Sequence, residues 1–209
     1  MLPKLITHGG PMVWLLFVAS AAAVVVFVER LLYYHRAQIN SAEFLAGVRT
    51  VLKRDNIVEA LSICDATPGP VARLVKSAIL NRDRGRDRIR EGLEEAGMVE
   101  VPRLEQKLDL LATIAQITPI MGLLGSILGF IRIFAIMERE GPNIPMNLVS
   151  GGVWEALLST AAGLAVAIPA YAGYNYLVSR VNAIVVDMEK ASTEVLNYLS
   201  DNPPGGKPS

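Results

Sequence analysis

The residues able to do chemistry are few, and they lie inside long apolar stretches. Thr118, Gly122, Ser126 and Gly129 or Phe130 recur at helical spacing, so hydroxyls and glycines share one face. Farther along, Gly152, Ala156, Thr160, Gly163 and Ala167 form a near-continuous stripe of small residues, with Glu155 and Ser159 one turn apart beside it. A hydroxyl both donates and accepts a hydrogen bond. A carboxylate in an apolar stretch is costly unless it meets a polar interior or a partner. Two readings therefore stand side by side. Small and hydroxyl residues pack membrane helices together, where each such hydrogen bond contributes only about 1 kcal/mol. The same groups could also serve a polar path through the membrane. Glu155 is the only acidic residue well inside either stretch, and its place near one end allows partial hydration.

Gly125 and Gly129 add a GxxxG pair that permits close backbone approach. Pro119 removes one helical hydrogen bond and leaves the carbonyl near Ala115 wanting a partner. Pro119 and Pro169 are read as shaping their helices rather than taking part in chemistry. No Asp, Lys or Arg is expected at the membrane centre, and one peripheral Glu does not make a proton relay. If ions move, several copies must enclose a space and a partner must bring the titrating group. The lone Cys64 excludes an intramolecular disulfide and any cysteine-based metal cluster. His8 and His35 lie outside the apolar stretches and far apart, so no metal site is expected. No nucleophile, metal cluster or phosphate loop supports an enzyme, and no cofactor is expected.

The elements that position these residues follow from composition. Of 209 residues, 52% are hydrophobic and 19% charged, with no formal net charge. The apolar residues gather in three blocks, 11–32, 108–137 and 149–178. A helix needs about 20 apolar residues to cross a bilayer, so the chain reads as an all-α, polytopic membrane protein with three crossings. The first block is too long for a signal peptide, and one lysine but no arginine precedes it. Arg30 and Arg36 follow it instead, which places the N-terminus (1–10) outside and the C-terminus inside. The segment 33–107 is rich in Arg and Lys and belongs in the cytoplasm by the same rule. Its apolar residues recur at helical spacing around a turn at Thr67-Pro-Gly-Pro70, predicting a small helical domain continuous with the second membrane helix. The RDRGRDRIR run at 82–90 alternates with acids, so its field largely cancels. It reads as a solvated face that can touch anionic lipid, and no nucleic acid is expected. A periplasmic connector, 138–148, is rich in helix breakers. Val178, Val181, Val185, Met188, Ser192, Val195 and Leu199 follow a heptad spacing, predicting that the third helix continues through 179–200. Residues 201–209 read as a disordered tail.

Two motifs carry a resemblance. LLATIAQITPIMGLLGSILGFIRIF at 110–134 and GGVWEALLSTAAGLAVAIPAYAGYNYL at 151–177 resemble the ExbB/TolQ branch of the MotA/TolQ/ExbB proton-channel family. FVERLLYY at 27–34 and the helical loop fit as well, so the resemblance covers nearly the whole chain. Three crossings match the three-helix proteins rather than the four-helix flagellar stator.

The resemblance implies a homopentamer in a bacterial inner (cytoplasmic) membrane, enclosing a dimer of a single-pass ExbD/TolR-like partner with a membrane aspartate. Protonation of that aspartate would drive rotation or another conformational change, and a TonB- or TolA-like protein would carry the work across the periplasm. Ser126 in GSILG and Thr160 in STAAG are implied as the lumen-facing hydroxyls nearest the partner's acid, and Glu155 as the acidic residue of EALL. The GSILG position is usually threonine, and serine keeps the donor and acceptor but loses the methyl. A non-conducting scaffold, and a small transporter or enzyme subunit, are the alternative classes. The motifs do not separate a Ton-like from a Tol-like system, or protons from sodium.

Overall fold

The computed structural model describes residues 10–141 and 145–202. Most of the external N-terminus, the middle of the connector and the tail from residue 203 lie outside those residues. Among the described residues the chain forms seven α-helices: α1 (Gly10–Ala37), α2 (Ser41–Leu52), α3 (Ile57–Ala66), α4 (Pro70–Leu80), α5 (Arg86–Glu105), α6 (Leu108–Glu140) and α7 (Met146–Asp201). Three helical stretches, containing α1, α6 and α7, carry 18-residue windows of mean hydropathy 2.3, 2.1 and 1.5 and are long enough to cross a membrane. The chain divides into two units. One joins residues 10–29 to Lys107–Leu177, and the other joins Arg30–Gln106 to residues 178–202.

The first unit inverts the pattern of a water-soluble core. Phe17, Ile120, Phe134 and Ile168 are 62–69% exposed, whereas Thr118, Ser159 and Ala156 are 0–1% exposed. Bulky apolar side chains facing outward and small or hydroxyl residues facing inward is the arrangement hydrocarbon solvent favours. Glycine lets α6 and α7 meet backbone to backbone. A Cβ on Gly163 would lie 2.7 Å from the Thr118 carbonyl oxygen and 2.9 Å from Gly122 Cα. One on Gly129 would lie 3.0 Å from Ala156 Cβ. The α1 helix joins them through Met12, beside Gly125, and through Phe27, against Gly173. Lys107 and Glu29 form an ion pair at the end of this unit.

The second unit is an ordinary amphipathic bundle. Asn40 and Asn56 cap α2 and α3, each accepting from the backbone N–H of the glutamate three residues on, Glu43 and Glu59. Gly69 starts α4 at φ 126, and a Cβ there would lie 2.8 Å from the Ala37 carbonyl oxygen, so only glycine fits the turn. Leu45, Val48, Val75, Ala78, Ile79, Ile89 and Leu104 are buried, and the Tyr34 hydroxyl donates to the Leu104 carbonyl at 2.6 Å. Glu100, also buried, lies 2.6 Å from Arg73 and accepts from Arg103 at 2.9 Å. In the arginine-rich run, Arg82 pairs with Asp55, Arg88 with Glu91 and Arg90 with Glu94.

Three details differ from the sequence expectations. The second membrane helix does not continue the helical domain: Gln106 and Lys107 break it, with Lys107 in the left-handed region at φ 67. At the connector, α6 runs to Glu140 and α7 begins at Met146, because Gly141 and Pro145, not the flanking polar residues, stop the helices. The buried seam of late α7 is Val181, Ile184, Met188, Ala191, Val195 and Leu199. The heptad spacing shares four of these positions and points to Val185 and Ser192 where Ile184 and Ala191 face inward.

Candidate functional site

The α6–α7 contact brings Ser126 and Thr160 together. Their hydroxyl oxygens are 2.5 Å apart, and Ser126 Oγ also lies 2.5 Å from the Ala156 carbonyl oxygen. The other carbonyl within reach, Gly122 O, is 3.4 Å from Ser126 Oγ and 3.5 Å from Thr160 Oγ1. Each hydroxyl has one proton. The short distances therefore order the chain: Thr160 donates to Ser126, and Ser126 donates to Ala156 O. That leaves the lone pairs of Thr160 open, while its proton can swing to a better acceptor. Ser126 is 8% exposed and Thr160 is half-buried, so Thr160 is the more accessible residue of the pair.

The surrounding residues fix this pair in place. Gly122, opposite Gly163, brings the helices close enough for two short side chains to touch. Ser159 fills the space beside Gly125, and the Ile133 side chain fills that beside Gly152. Ala156 and Ala167 are buried. Thr118, one turn before Gly122, donates to the Ile114 carbonyl at 2.9 Å, so its hydroxyl does not serve the Ala115 carbonyl that Pro119 leaves short of a donor. α6 runs unbroken through Pro119, as α7 does through Pro169.

Glu155 is not the lone carboxylate of the sequence reading. Arg132 Nη1 donates to its two oxygens at 2.8 and 3.0 Å. Glu155 is 19% exposed and Arg132 58% exposed at their side chains. Arg132 stands in the apolar run of α6, about 9 Å beyond Ser126 along the axis at 1.5 Å per residue. The sequence signal was present: a single arginine inside an apolar run, and an intramembrane acid with no local partner. Linking them needed the antiparallel register of α6 and α7. Among the described residues, no group of three or more His, Cys, Asp or Glu could hold a metal ion.

Three long apolar helices that turn hydroxyls and small residues toward each other and bulky side chains outward define a polytopic membrane protein. The chain belongs to the MotA/TolQ/ExbB proton channel family, whose model matches residues 66–190, and it is a multi-pass inner-membrane protein. It is 23% identical over 180 residues to a biopolymer transport protein ExbB homolog of Methanothermobacter thermautotrophicus, covering 86% of this chain and 63% of that one. It is 31% identical over 151 residues to biopolymer transport protein ExbB-like 3 of Synechocystis sp., covering 71% of each. The structure of C. jejuni MotAB matches with a TM-score of 0.64 at 15% identity, over 95% of this chain and 80% of that one, and shares the fold. The chain thus spans less than two thirds of the Methanothermobacter relative's length.

Proposed function

We propose that this chain is the channel subunit of an ion-driven membrane motor, and that Thr160 and Ser126 receive the acid of a second protein. The observation that carries the reading is the ordered hydroxyl pair, held at a glycine-closed interface with Thr160 half-open. An unpaired carboxylate in an apolar membrane space is expensive. When such an acid is protonated, its O–H can donate to the free lone pairs of Thr160. When it is ionised, Thr160 can turn its proton from Ser126 to the carboxylate, while Ser126 stays bound to Ala156 O. One hydroxyl then serves both protonation states without moving either helix.

In this reading several copies, five by family likeness, surround a dimer of an ExbD/TolR-like single-pass protein bearing a membrane aspartate. The N-terminus is outside and the C-terminus inside. Proton motive force becomes mechanical work on a TonB- or TolA-like periplasm-spanning protein. Arg132 holds Glu155 at the connector end of the path. The test is proton flux into vesicles containing the purified chain with and without the single-pass partner. Flux that needs both proteins, and that falls in Thr160→Val, is expected. Partner-dependent assembly with no flux would favour the scaffold instead.

A further inference from the structure

In the membrane unit, a cavity of about 200 Å³ runs between α1, α6 and α7. Its floor is Ala23, Leu111 and Ala170, all buried, and its rim includes Val24 and Pro169, both exposed. Apart from Ser20, the lining is apolar. The residues along α1 run from Ser20 to Phe27, and those along α7 from Val166 to Gly173. Each stretch is about 10 Å long at 1.5 Å per residue. Along that length, about 200 Å³ makes a slender groove rather than a rounded chamber. The cavity ends beside the Glu29–Lys107 ion pair: Phe27 is two residues from Glu29, and Leu111 is one turn from Lys107. Those charges mark the polar boundary of the apolar helices.

We propose that this cavity is a binding groove for one acyl chain of a phospholipid, drawn from the leaflet on the Glu29–Lys107 side. The helices that form it stand in hydrocarbon, so the medium at its exposed rim is lipid rather than water. Apolar walls with nothing packed against them lose dispersion contacts, so the groove favours an apolar occupant. Its narrow bore admits a linear chain more readily than a branched side chain. The small residues at 23, 170 and 173 create the groove, and Pro169 puts its ring at the rim. The inference is independent of the proposed ion path.

The test uses the full chain in phosphatidylethanolamine/phosphatidylglycerol vesicles containing a phospholipid with a diazirine at mid-chain. After photolysis, peptides carrying Val24, Phe27 or Val166 are expected to be labelled more heavily than the α6 peptide carrying the exposed Ile120 and Ile131. Ser20→Phe should bring groove labelling down to the α6 level while α6 labelling stays constant. Val24→Trp, at the exposed rim, gives a second plug if the first variant does not fold. Equal labelling of groove and α6 peptides in the unmodified chain would overturn the proposal. So would disulfide-linked dimers of a Ser20→Cys/Cys64→Ala variant forming at the expense of lipid label, since a second copy would then cover the groove.

Discussion

Thr160 donates to Ser126 across a helix interface in which Gly122 and Gly163 approach each other backbone to backbone. The two features depend on each other. Serine and threonine have short side chains, so their oxygens reach 2.5 Å only because no Cβ stands between the helices. The glycines are thus part of the hydroxyl site, although they carry no functional group.

Thr160→Val keeps the shape of the side chain and removes its oxygen. Ser126 still donates to Ala156 O, so the interface should lose only about 1 kcal/mol. Partner-dependent proton flux and any uptake driven by proton motive force should be abolished, with the oligomer intact on gel filtration in detergent. Uptake at the unmodified level would sink the assignment of Thr160.

Gly163→Ala and Gly97→Ala form a matched pair. At Gly163 the new methyl meets backbone on α6, which cannot yield as a side chain can, so the cost should be roughly 1–3 kcal/mol. At Gly97, inside α5, a Cβ has nothing within 4 Å, and the exchange should gain up to about 1 kcal/mol of helix propensity. Thermal unfolding in detergent should shift downward for the first and not downward for the second. Equal shifts would show that the α6–α7 approach is looser than described.

Arg132 and Glu155 can be separated by a double-mutant cycle with Arg132→Gln and Glu155→Gln. The guanidinium is mostly exposed, so screening reduces the interaction, and the coupling energy should be roughly 0.5–1 kcal/mol. Additive single effects would mean that the two side chains do not hold each other.

Cys64 offers a pH test outside the membrane helices. Burial, with a smaller contribution from the Asp65 charge, pushes its thiol from 9.0 up to about 11, against the opposing pull of Lys76. The folded pKa is the higher one, so the associated stability is fully present below about pH 9. It is lost as pH rises through about 11. Because only the thiolate reacts, iodoacetamide at pH 8 should leave the native chain nearly unmodified and alkylate it readily in denaturant. Native alkylation at the rate of a free thiol would contradict this.

The architecture was largely legible because hydropathy is a local property. A long apolar run must cross a membrane or be buried, whatever its neighbours are, and the three blocks declare themselves. The faces of α6 and α7 were legible too, since helical period alone puts Gly122 with Ser126 and Ala156 with Thr160. The continuity assumed between α5 and α6 failed because nothing in the types of Gln106 and Lys107 announces a break, and Lys107 takes φ 67 without being glycine. The late α7 seam was misplaced in part because a strict heptad count puts Val185 and Ser192 on the seam, one residue past Ile184 and Ala191, which the helix buries.

By itself, the sequence determined three membrane-length helices, a basic helical segment between the first two, and two faces carrying hydroxyls and small residues. Only the tertiary structure decided which residue meets which: Thr160 with Ser126, Arg132 with Glu155, and Phe27 with Gly173 beside the groove. The reason is geometric. Helical period fixes what shares a face within one helix, but partners across an interface depend on the rotation and register of two helices. Here the Gly122–Gly163 approach sets that register, and it is a contact that neither helix specifies alone.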